Sequence, residues 1–98
     1  MSDHASDSTV RRLRGEISEV DRAIVDAVNR RLELVARLKR HKHENGIPFL
    51  DPERERAMLL QLELVNSGPL TPEGLSELHA QLLDLTKREL TRDGDEAA

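Results

Sequence analysis

Three cations stand on one helical seam. Taken in heptad steps, the chain from residue 14 onward presents Arg14, Ile17, Asp21, Ile24, Val28, Arg31, Val35, Leu38 and Lys42, so an apolar stripe carries four charges. A cation on a buried seam is costly unless it meets a carboxylate, from the protein or from a ligand. Two readings fit the pattern: the cations set the register of a coiled interface or snorkel to water at its ends, or they hold an anion. Arg31 and Lys42 are eleven residues apart, about 16 Å along a helix, and long side chains converge on a small ligand across that span. Arg14 lies seventeen residues before Arg31, about 25 Å, too far to share that ligand within one chain. An antiparallel partner brings its own Arg14 beside Arg31.

A second cluster follows Asp51, where Arg54 and Glu55 occupy the first turn of an expected helix, at an end whose backbone N–H groups favour anions. Ordinary helix-start chemistry accounts for these residues as well. His41 and His43 are two residues apart and point to different helix faces, which excludes a chelate of that type. His79, beside Leu78 and Leu82, reads as a satisfied packing residue. With no cysteine, no Ser, His and Asp arrangement and no glycine-rich phosphate loop, covalent catalysis and thiolate metal sites have no carrier. What is left is chemistry by positioning and electrostatics, with neither metal nor cofactor.

The elements that hold these residues are marked by sparse punctuation. Glycine and proline cluster at Gly46 to Pro48, Asp51–Pro52, Gly68–Pro69 and Thr71–Pro72, and the intervening stretches have helical periodicity. One long helix is expected from about Ser8 to about His43. A second starts at the Asp51 cap with Pro52 in its first turn and runs to about Asn66. A third starts at Thr71–Pro72 and runs to about Leu90, carried by Leu75, Leu78, Leu82, Leu83 and Leu85. Residues 1–10 and the acidic tail 91–98 are expected to be flexible, leaving 11–90 as one all-α domain. A helix of about 35 residues spans about 50 Å, whereas a globule of this size has a radius of gyration of about 13 Å. Its apolar stripe stays wet unless a second chain covers it, so an intertwined helical homodimer is expected.

Composition narrows the partners. The 98 residues carry a net charge of -4, and Phe49 is the only aromatic residue. An acidic chain without stacking platforms is a poor nucleic-acid binder. No apolar run of about 18 residues is present to span a membrane. Residues 1–10 also lack the basic and apolar regions of a signal peptide, so a cytoplasmic protein is expected.

The stretch LRGEISEVDRAIVDAVNRRLELVARLKRHK followed by DPERE resembles the AroQ-type, all-helical chorismate mutases, and the likeness extends from Leu13 to about Leu90. Its carriers are Leu13, Arg14, Ile17 and Asp21 at the start of the long helix, the Arg30–Arg31 pair in its middle, Lys42 eleven residues later, and Asp51, Arg54 and Glu55 opening the second helix. The resemblance implies three helices per chain in an intertwined homodimer with shared active sites. It also implies a cofactor-free [3,3] rearrangement of chorismate to prephenate, on the route to phenylalanine and tyrosine. By the same resemblance, Arg31 and Arg14 of the partner subunit grip carboxylate, Lys42 donates to the ether oxygen, and Glu55 binds the ring hydroxyl. Arg54 and the backbone near Asp51 complete the wall.

The departure falls on the third helix. Where the family places a serine and, four residues later, a glutamine, this chain has Thr86 and Leu90. Threonine keeps a hydroxyl; leucine donates nothing. Glu89 substitutes if the helix is offset by one residue and the carboxyl is protonated. Other readings compatible with the resemblance are an isochorismate pyruvate lyase, an amino-chorismate mutase, and a weakly active mutase or binding module that needs an activating shikimate-pathway enzyme.

Overall fold

The computed structural model describes residues 7–92, in the order α1 (Ser8–Glu44), α2 (Pro52–Val65) and α3 (Pro72–Arg92). Every described regular element is helical, and each start is set by a local side chain. Asp7 caps α1, its Oδ1 accepting from the Thr9 and Val10 amides at 2.8 and 3.1 Å. At α2 the Asp51 carboxylate accepts from Arg54 N at 3.1 Å, and Pro52 fills the first turn, where its missing N–H costs nothing. At α3 the Thr71 hydroxyl accepts from Gly74 N at 2.9 Å. Both expected X-Pro starts are present.

The end of α1 is equally local. Gly46 adopts a left-handed φ of 66°, which a residue with a Cβ rarely tolerates. This lets Ile47 N–H reach Lys42 O at 2.8 Å and Gly46 N–H reach His43 O at 3.3 Å, the paired bonds of a Schellman stop. The chain therefore turns at Gly46, four residues after Lys42.

The chain divides into two compact units, Met1–Glu33 and Leu34–Ala98. In the first, the described residues form a single helical segment whose apolar side chains are wet: Ile17 is 58% exposed and Ile24 54%. In the second, α2 packs on α3. Its buried residues fall on one stripe of α3: Leu75, His79, Thr86 and Leu90. Leu78, expected among the core carriers, is half exposed because it sits at the edge of that stripe. On α2 the apolar residues surround the helix, so Met58, Leu59 and Leu62 are partly covered while Leu64 remains 85% exposed. No described side chain is completely buried, so one chain alone has a thin core.

Two end segments differ from expectation in part. Ser8–Val10 belong to α1, and Thr91 and Arg92 extend α3 past Leu90. The remainder of the segments expected to be flexible, residues 1–6 and 93–98, lies outside the described residues.

Candidate active site

The candidate residues fall into two groups. Arg14 and Arg31 lie in the first unit, on α1, with Arg14 exposed and Arg31 half buried. The neighbouring Arg30 turns to Glu33 at 3.7 Å, an exposed pair that contributes little to stability. Lys42, Asp51, Arg54, Glu55 and Thr86 all lie in the second unit.

Within the second unit, the turn after α1 does the positioning. Lys42 Nζ donates to Phe49 O at 3.3 Å and sits 5.8 Å from the centre of the Phe49 ring. Its ammonium is thus held against the loop that leads, two residues later, into Asp51. The Asp51 carboxylate is committed to its cap, and its carbonyl accepts from Glu55 N at 3.1 Å, so the first turn of α2 is tied down at both residues the sequence singles out. Arg54 is exposed and Glu55 half buried.

A cavity of about 280 Å³ opens beside Phe49 and Leu50, walled by Lys39 from α1 and by Thr86, Lys87 and Leu90 from α3. It is near the lower size limit of small-ligand sites. Thr86 and Leu90 therefore share one wall, as their four-residue spacing requires. Both are only 7% exposed. Glu89 is half buried and is not among the residues that line this cavity. The Thr86 hydroxyl donates back to Leu82 O at 2.7 Å.

His79 corrects an expectation. It is buried, as a packing residue should be, but its Nε2 has no hydrogen-bond partner among the described residues, so it is not satisfied by them. Sequence reasoning also missed Lys39, Phe49 and Leu50. Of these, Lys39 left only its three-residue step from Lys42, which puts both on one helix face but does not tell a site lysine from a solvated one. The cavity walls carried no comparable signal.

Comparisons with known proteins converge on one family. A family model for chorismate mutase type II matches residues 13–90. Over 47 residues the chain is 47% identical to the T-protein of Haemophilus influenzae, which is 48% of this chain but 12% of that protein. It is 38% identical over 45 residues to the 4-amino-4-deoxychorismate mutase of Streptomyces venezuelae, 46% of this chain and 44% of that one. The chain thus spans less than half the length of these curated relatives. Among solved structures, the chorismate mutase (form I) of Thermus thermophilus aligns with a TM-score of 0.77 at 32% identity, covering 81% of this chain and 99% of that chain.

Proposed function

The chain belongs to the chorismate mutase type II family, and from that premise we propose that it rearranges chorismate to prephenate as an intertwined homodimer. The observation that carries this reading is the unbroken set of charges within the matched span. Arg14, Arg31 and Lys42 lie on one helix, and Asp51, Arg54 and Glu55 open the next. The wet stripe of the first unit supports the dimer, since Ile17 and Ile24 gain burial only against another chain.

The reaction breaks the ether C–O bond while a C–C bond forms, moves no proton to the enzyme and needs no covalent intermediate. Its demands are a folded substrate conformation and stabilisation of the charge that grows on the ether oxygen. Chorismate carries two carboxylates; Arg31 and Arg14 of the partner subunit grip them and hold the side chain over the ring, which removes conformational entropy before the barrier. Lys42 donates to the ether oxygen. A unit charge at 4 Å is worth up to about 4 kcal/mol at an effective dielectric of 20, and less for the partial charge that develops. A millionfold acceleration needs about 8 kcal/mol, so positioning by the arginines supplies much of the remainder. Glu55 accepts from the ring hydroxyl, while Arg54 and the Asp51 backbone close that side. Thr86, which donates to Leu82 O, adds its hydroxyl to the wall.

The deciding experiment is turnover of chorismate by the purified protein, followed by ultraviolet loss of substrate with the product identified by NMR. Prephenate well above the uncatalysed background is the expected result; none, from a folded dimer, overturns the reading. The likeness to a 4-amino-4-deoxychorismate mutase supports a second substrate, the amino analogue, to be run in parallel. Isochorismate belongs in the same series, where salicylate and pyruvate identify a lyase. A cytoplasmic place in phenylalanine and tyrosine synthesis belongs to this reading, and no described helix is long and apolar enough to cross a membrane. Turnover that rises on adding a shikimate-pathway enzyme is the mark of an activating partner.

A further inference from the structure

The cavity beside Phe49 has an unbalanced lining. Phe49, Leu50 and Leu90 are apolar, Thr86 directs its proton to Leu82 O, the hydroxyl of Thr91 is on an exposed residue, and no carboxylate lines it. Helix α3 therefore places one wall there without offering a donor from Thr86 or Leu90. The cations are Lys87, which is exposed, and Lys39, which is half buried. Lys39 stands one helical turn before Lys42, and its Nζ lies 5.7 Å from the centre of the same Phe49 ring that Lys42 approaches at 5.8 Å. Lys42 has the Phe49 carbonyl as acceptor. Lys39 has the ring face, and among the described residues no carboxylate lies within salt-bridge distance of it. A half-buried lysine that lines a cavity whose walls hold no carboxylate offers its charge to an anion there.

We propose that Lys39 is a second substrate-binding cation of the chorismate site, supplying the hydrogen bond that Leu90 cannot, at the end of the substrate where negative charge grows as the ether bond breaks. This rests on the mutase reading. The bond changes remain within the substrate, and Lys39 only interacts with the developing charge. The strength of such an interaction comes from the low polarity of Phe49, Leu50 and Leu90 around it. The exposed Lys87 is screened by water and adds little.

The test compares kcat and KM on chorismate for the full chain and three variants. Lys39→Met keeps the aliphatic stem over Phe49 and removes the charge; Lys39→Arg keeps the charge; Lys39→Met with Leu90→Gln puts a donor back on the opposite wall. Expected is a fall in kcat/KM of at least about 30-fold for Lys39→Met, most of it in kcat, with Lys39→Arg retaining the larger part of wild-type activity. The gain from Leu90→Gln should be at least about tenfold larger in the Lys39→Met background than in the wild type, because the two donors serve one group. Lys39→Met within threefold of wild type overturns the proposal. So does an equal loss in Lys39→Arg, or a folded double variant no better than Lys39→Met, either of which confines Lys39 to holding the Phe49 loop. Absence of chorismate turnover in the wild-type protein is a different failure, since it overturns the mutase reading itself.

Discussion

The two units of this chain handle the same raw material in opposite ways. Both are amphipathic helix with apolar residues at helical spacing, yet up to Glu33 the stripe is wet, and beyond it α2 and α3 close on each other around Leu75, His79, Thr86 and Leu90. Periodicity states which face a helix wants to bury; it does not state against what. The second unit finds part of its answer within the chain, through the short connection that folds α3 back on α2. The first has no such neighbour among its own described residues, and it carries Arg14 and Arg31. Under the proposed function the unfinished unit supplies substrate-gripping arginines and the better-packed unit supplies Lys42, Glu55 and the cavity.

That contrast can be broken experimentally, most forcefully at the chemistry. Arg31→Ala in the first unit and Lys42→Ala in the second should each lower kcat/KM by about a thousandfold or more, about 4 kcal/mol of transition-state stabilisation, with circular dichroism and oligomeric state unchanged. Near-wild-type rates in either variant would remove that residue from the site. Next in size, Ile24→Asp places a charge on the wet stripe and should weaken self-association at least about 100-fold in sedimentation experiments. Unaltered association would show that this stripe is not the interface.

A smaller effect sharpens the comparison. Mixing Arg14→Ala chains with Arg31→Ala chains gives mixed dimers in which one of two sites holds both native arginines. At random exchange half the dimers are mixed, so activity should recover to about a quarter of wild type. No recovery after verified subunit exchange would mean that the first unit serves its own chain. Smallest is Asp51→Ala, which removes the α2 cap and should cost about 1 kcal/mol in denaturant unfolding. Loss of activity far beyond that of stability would give Asp51 a part in binding as well as capping.

The legible features were those governed by a few adjacent residues. Asp51–Pro52 and Thr71–Pro72 announced α2 and α3 because a cap is a bond between residues three apart, and Gly46 marked the stop of α1 because only its missing Cβ permits the left-handed turn. That Lys42, Asp51, Arg54 and Glu55 flank one short turn was legible for the same reason. Leu78 misled, being periodic but at the edge of the buried stripe. His79 was expected to be satisfied, and an orphaned Nε2 is a property of surroundings that no pattern in one chain reports. Lys39 was passed over because a lysine at helical spacing is indistinguishable from a solvated one until the wall opposite it is known.

From the residues alone came the three helices, their ends, the exclusion of thiolate and metal chemistry of the kinds considered, and a set of cations spaced for an anionic ligand. Local rules suffice for these, because helix starts, stops and periodicities are set within a few residues. Which face of α3 is buried, that Thr86 and Leu90 share a wall with Lys39 and Phe49, and that Glu89 does not, were decided only by tertiary packing. The rotation of a helix about its axis is fixed by the surfaces it meets, and those surfaces come from residues distant in the chain.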